Sequence, residues 1–180
     1  MRNLVTYACQ VRDIQVSGGP GWADSEAYNI QATAGGSSAD MHAMMQTLLG
    51  SRFSLKLHRD SKEMSVYDLV LGKKGPLMQD AGKPGFGVGP GRGRIAGRGA
   101  DMRTLASVLA GPLGRIVRDR TGLAGYFNFT ITYRPDDAPA DDPHPSLLTA
   151  IQEQLGLRLD PARAPVEVLM IDSVSRPTAN

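Results

Sequence analysis

The sequence predicts an α+β protein made of two tandem repeats of a small helix-strand-strand-helix-strand-strand unit, and three observations carry that prediction. Segments recur at a spacing of about one hundred residues: residues 1–4 read MRNL where 102–105 read MRTL, and 28–30 (YNI) answer 127–129 (FNF). Apolar residues at helical spacing alternate with short runs of period two, the pattern of helices packed on sheets. Between the halves lies a stretch, 73–100, that holds much of the glycine in the chain.

The first half opens inside a helix at Met1 and reaches its first strand near 28–30. A second helix follows and is expected to end at Gly50. Strands at 54–57 and 66–71 then flank a polar hairpin, residues 58–63, because turns favour polar residues. The glycine- and proline-rich residues 75–91 read as a linker.

The second half adds a leading strand at 94–98 (RIAGR). Leu105, Val108, Leu109 and Leu113 then mark a helix, and Phe127, Phe129, Ile131 and Tyr133 alternate as a strand does. Pro145 and Ser146 start the next helix, Glu153 falls early in it, and Gly156 stands where a C-cap glycine belongs. Strands at 157–159 and 166–171 close this half as 66–71 closes the first. The expected domains are therefore 1–74, a linker at 75–91, a second repeat at 92–175 and a tail at 176–180. No segment before Met1 matches the strand at 94–98, so the first repeat is expected to lack its leading strand.

Composition narrows the function. The chain has 180 residues, 41% hydrophobic and 21% charged, which fits a globular fold rather than a disordered one. No apolar run is long enough to cross a bilayer, and no signal peptide is visible after Met1. A net charge of +2 is too small to argue for polyanion binding. Cys9 is the single cysteine, which excludes an intramolecular disulfide and a CxxC metal or redox motif.

Longer motifs carry a resemblance. The runs LLGSRFSLKLHRDSKEMSVYDLVL (48–71), VSGGPGWADSEAYNIQATA (16–34), RDRTGLAGYFNF (118–129) and LLTAIQEQLGLRLDPARAPVEVLMID (147–172), with the ending SRPTAN (175–180), resemble an uncharacterised family of secreted proteins abundant in soil Acidobacteria. Some of its members are fused to sensor peptidases of the BlaR type. The second half is also similar to the short N-terminal domains of secretins and TonB-dependent receptors, at Val117, Asp119, Thr121, Gly122, Leu123 and Gly125 and at 155–157. Those domains are periplasmic interaction modules, so the resemblance implies a periplasmic or secreted protein; without a signal peptide, a truncated cytoplasmic form is the other expectation.

Several clusters could carry chemistry. Asp136, Asp137, Asp141 and Asp142 place four carboxylates in a proline-bounded loop, the donor type that a hard cation such as Ca2+ takes, with His144 as a helper. The bland reading is a solvated connector. His58 beside Asp60 or Glu63 has the makings of a general base held by a carboxylate, against a plain polar turn. Arg92, Arg94 and Arg98 among glycines could cradle phosphate or RNA, against a linker and the leading strand. Trp22 packs the core or lines a cleft between the repeats. Cys9 lies on the apolar face of the first helix and reads as a buried, inert thiol, and His42, at the start of a helix that Ser38 or Asp40 could N-cap, as structural or exposed. No G-x-S-x-G, H-E-x-x-H or P-loop pattern occurs.

The expected function is therefore a binding module of the cell envelope, taking a protein partner by strand addition, a small ligand in a groove between the repeats, or a second copy as a homodimer. The alternative is a metal-assisted hydrolase, Ca2+-dependent, of a small ester or lactone, with His58, Asp60, Glu63 and His144 for proton transfer. Nucleic acid is a third and weaker partner.

Overall fold

The computed structural model describes residues 1–31, 38–139 and 141–177, and the backbone alone for 38–40. The N-cap expected from Ser38 or Asp40 and the end of the tail, 178–180, lie outside the described residues. Within them the fold is α+β, with five helices and two four-stranded sheets. The chain divides into two compact units, Met1–Met64 with Pro165–Asn180, and Ser65–Ala164.

The first unit begins with α1 (Arg2–Cys9), where Val5 and Ala8 are buried. With Met1 they fall at i, i+4 and i+7 and form one face of the helix. Gln10 ends α1 in the left-handed region at φ 54. A 3-10 turn (Asp13–Gln15) leads to β1 (Val16–Gly18) and the short α2 (Trp22–Ser25). Helix α3 (Ser38–Phe53) does not stop at Gly50 as its sequence suggests. It runs on to bury Phe53 beside Leu49, one turn earlier, and ends where Ser54 turns left-handed at φ 49. Leu55 N–H then reaches back to Leu49 O at 3.2 Å. The core of this unit is Met1, Val5, Ala8, Val16, Ala23, Leu49 and Phe53, closed by Leu169 and Ile171.

The hairpin expected from the sequence does not form. In place of two strands and a polar turn, β2 (Lys56–Leu71) is one strand of 16 residues. Residues 58–63 are exposed on both faces of it, so their polarity reflects solvent rather than a turn. The expected strands at 157–159 and 166–171 likewise merge into β8 (Leu157–Ser173), 17 residues long. Pro161 and Pro165 lie within it, and β1 pairs with β8 only from Leu169 onward, so no bond to β1 is lost at either proline.

The second unit holds a sheet in the order β3-β7-β5-β4, from β3 (Gln79–Asp80), β4 (Gly87–Gly91), β5 (Arg94–Ala100) and β7 (Phe127–Thr132). Half of the glycine-rich stretch 73–100 is strand, and its glycines allow close approach. A Cβ on Gly99 would meet Gly85 N at 2.3 Å, where Gly85 N–H donates to Gly99 O at 3.0 Å. Helix α4 (Met102–Leu113) follows, capped by Asp101, whose carboxylate accepts from Thr104 N–H at 2.7 Å. Then come β6 (Val117–Asp119) and α5 (Leu147–Ala150), which continues as a π-helical turn to Leu155 and ends at Gly156, φ 68, as expected. Leu105, Leu109, Ile95, Ile131, Ile151 and Leu157, none more than 1% exposed, lie at the centre of this core.

The other sheet runs β1-β8-β2-β6. Here β1 pairs in parallel with the end of β8 (Val16 with Leu169, Gly18 with Ile171), and β6 with the end of β2 (Tyr67 with Val117, Leu69 with Asp119). Each short strand therefore pairs with a long strand from the other half of the sequence. The unit boundaries fall inside β2 and β8, between Met64 and Ser65 and between Ala164 and Pro165.

Candidate functional site

Two concavities of the first unit gather side chains able to meet a ligand. The first is a groove of about 420 Å³ between α1 and α3, lined by Leu4 and Tyr7 from α1, Met41, Met44, Met45 and Leu48 from α3, and Tyr28 and Ile30. Tyr7, Met41 and Met44 are 41%, 42% and 45% exposed, an unusual level for large apolar side chains grouped on one face. The inner side of α3 explains this: Leu49 and Phe53 turn into the core, which leaves 41, 44, 45 and 48 on the adjoining stripe. Tyr7 is held against His42, ring centroids 4.7 Å apart, and His42 Nδ1 lies 2.9 Å from Tyr7 O. His42 is thus engaged by Tyr7.

Below the groove, Tyr28 packs edge-on against Phe53 at 5.0 Å and against Trp22 at 6.5 Å. Trp22 is half-buried and packs against the core of the unit. The Arg176 guanidinium covers its ring at 5.0 Å and pairs with Glu26, which also accepts from Tyr28 Oη at 2.7 Å. The Arg176 bond first, and the Tyr28 bond second, hold the Glu26 carboxyl below the usual carboxylate range.

The second concavity, about 530 Å³, has an apolar floor that includes Leu49, Leu57 and Leu169, and a rim with Cys9, His58, Arg59 and Glu167. The carboxylate beside His58 is neither Asp60 nor Glu63. It is Asp172, with Oδ1 2.7 Å from His58 Nδ1. Asp60 instead accepts from Ser61 N–H at 2.7 Å, and Glu63 is exposed. Arg59 pairs with Glu167 at 3.2 Å, and Gln46 donates to Ala8 O at 2.8 Å, so much of the polar rim is engaged within the protein. Burial pushes the Cys9 thiol up, which outweighs the opposing charge of Arg59 and keeps it a neutral thiol at neutral pH.

The acidic loop belongs to the second unit. Asp137 pairs with Arg92 at 3.0 Å, and Asp142 accepts from His144 N–H at 2.9 Å with His144 Nδ1 at 2.8 Å. Those His144 bonds hold Asp142 below the ordinary carboxylate range. Asp136 and Asp141 are exposed. Among the described residues no group of three or more His, Cys, Asp or Glu side chains is gathered to hold a metal ion. His58 and His144 fall in different units. Arg94 and Arg98 project from β5 as exposed side chains four residues apart, while Arg92 sits in the β4–β5 turn with Asp137.

Sequence reasoning missed the α1–α3 groove and the His58–Asp172 and Arg176–Glu26 pairs. Met41, Met44, Met45 and Leu48 at helical spacing were a signal for the groove; nothing local announces partners more than a hundred residues apart.

A family model described as a protein of unknown function (DUF3738) matches residues 2–174. No curated protein and no solved structure matches the chain. No helix among the described residues is long and apolar enough to cross a membrane.

Proposed function

This chain belongs to the DUF3738 family, proteins of unknown function, and from that premise we propose that it is a non-catalytic binding module whose α1–α3 groove takes a small apolar ligand. The observation that carries the reading is the groove itself. Eight side chains, all aliphatic, aromatic or methionine, line about 420 Å³, a volume within the range of small-molecule sites. Methionine suits such a wall, since its flexible thioether adapts to varied apolar shapes. The cell-envelope setting rests on the resemblance of the sequence to exported proteins. The hydrolase alternative draws no support from the aspartate loop, whose Asp137 and Asp142 are engaged by Arg92 and His144.

The sole tryptophan makes the test local. Trp22 packs on Tyr28, and Tyr28 lines the groove. Anilinonaphthalene sulfonate bound there accepts energy from Trp22, and dodecanoate displaces it. Met44→Leu keeps the signal, whereas Met44→Lys abolishes it without altering the circular dichroism spectrum. Transfer that survives Met44→Lys, or no binding at all, overturns the reading.

A further inference from the structure

We propose that the first half of β2 is a self-complementary edge through which two copies of this chain pair antiparallel, centred on Ser61.

In the sheet order, the neighbours of β2 are β8 and β6, and β6 pairs with it only over Tyr67–Leu69. Residues 56–64 of β2 therefore have no strand on that side among the described residues, and 58–63 are all exposed. The state of one edge amide agrees. Ser61 N–H is taken by the carboxylate of the preceding residue, Asp60, at 2.7 Å rather than by a strand.

The far end of β2 fixes its hydrogen-bonding parity. Tyr67 N–H donates to Ile116 O and Leu69 O accepts from Arg120 N–H, both at 2.8 Å, so these odd-numbered residues face the β6 side. Gly72 N–H, even-numbered, faces Gly156 O at 2.8 Å, next to the start of β8. Carried back along the strand, the period of two directs the N–H and C=O of Arg59, Ser61 and Glu63 to the open edge. An antiparallel partner must match outward residues with outward residues, which restricts a two-fold pair to registers centred on a residue rather than between residues.

The charges select one of these. Residues 59–63 read Arg-Asp-Ser-Lys-Glu. Centred on Ser61, Arg59 stands opposite Glu63 of the second copy and Asp60 opposite Lys62, each twice by symmetry. Centring on Arg59, Asp60, Lys62 or Glu63 sets that residue against its own copy, like charge on like charge. Opposite charges directly across an antiparallel pair stabilise it and like charges oppose it. Charges on an edge strand ordinarily prevent pairing; in this order they oppose a centre on any of the four charged residues and favour the one between them, at Ser61. On pairing, Ser61 N–H exchanges Asp60 for Ser61 O of the second copy, and Arg59 exchanges or shares Glu167 with Glu63.

Sedimentation velocity on the full chain tests this. The protein is expected to sediment as a concentration-dependent dimer that weakens between about 20 mM and about 500 mM NaCl, because exposed ion pairs are screened. Asp60→Lys alone and Lys62→Asp alone place like charges opposite and should each weaken the dimer about tenfold or more. An equimolar mixture of these two variants restores both pairs across a heterodimer and should regain the mass that neither holds alone. The double variant Asp60→Lys/Lys62→Asp restores them within a homodimer. Circular dichroism melts identify any variant that fails to fold. Wild-type protein that is monomeric at low salt, single variants that dimerise as it does, or a mixture that stays monomeric overturns the proposal. None of these substitutions touches the α1–α3 groove, so ligand binding there succeeds or fails independently.

Discussion

His58 meets Asp172 across 114 residues of sequence, Nδ1 to Oδ1 at 2.7 Å, where the end of β8 comes beside the start of β2. The two side chains are 55% and 45% exposed, so water competes for both. A pair of this kind contributes about 0–1 kcal/mol. A double-mutant cycle with His58→Ala and Asp172→Ala in urea should return a coupling within that range. If the chain is a binding module, both variants also retain dodecanoate binding in the groove.

Asp68 and Arg118 form a stronger contact. Arg118 Nε and one terminal nitrogen reach the two Asp68 oxygens at 2.7 and 2.8 Å, across the β2–β6 pair, with side chains 21% and 29% exposed for Asp68 and Arg118. Bidentate geometry and partial burial place Asp68→Ala at a loss of about 1–3 kcal/mol, measured by urea unfolding.

Asp101 ties stability to pH. The Thr104 hydroxyl and N–H hold its carboxyl below the usual range, so the folded pKa lies beneath the unfolded one. The cap therefore contributes fully above the unfolded pKa, and its contribution is lost as pH falls through the folded value. Asp101→Ala should cost about 1 kcal/mol near neutral pH. The difference from wild type should shrink as pH falls below about 4, the unfolded value, toward the lower folded one. Urea titrations at the two pH values check both the size and the sign.

Two glycines should respond in opposite directions to alanine. A Cβ at Gly97 would lie 2.3 Å from the buried Phe129 ring, so Gly97→Ala must displace that ring and should destabilise by about 1–3 kcal/mol. Gly50 lies within α3 and is followed by Ser51; an added Cβ would meet nothing within 4 Å beyond its chain neighbours and its own helix, and its φ is not positive. Gly50→Ala should stabilise by about 0.4–1 kcal/mol through lost freedom of the unfolded chain. Thermal melts of the pair provide the comparison.

Much of the second unit was legible because local signals and burial agree there. The spacing of Leu105, Leu109 and their neighbours gave α4, the alternation through Phe129 and Ile131 gave β7, and Gly156 ended its helix. Where burial and local signal part, the sequence misleads. Residues 58–63 look like a turn because a strand exposed on both faces needs no apolar alternation. Pro161 and Pro165 look like breakers because a proline costs a strand only where its missing N–H had a partner. Gly50 looks like a cap because the pull of Phe53 on the next turn is tertiary. The aspartate loop stands out by charge density, yet a metal site depends on convergence, and Asp137 and Asp142 turn to different side chains, Arg92 and His144. The α1–α3 groove lay hidden for a different reason: a stripe of methionines reads as core until its exposure in the fold is known.

The crosswise strand pairing sets an order of assembly on the ribosome. The first unit is discontinuous: Met1–Met64 waits for Leu169 and Ile171, which close its core and give β1 its partner. The 100 residues of Ser65–Ala164 are synthesised in between and form a unit continuous in sequence. Residues 1–64 thus precede 65–164 yet are completed after them, and they carry an unclosed apolar face through that interval. That interval of exposure makes the opening third of the chain the place where a chaperone would have to act.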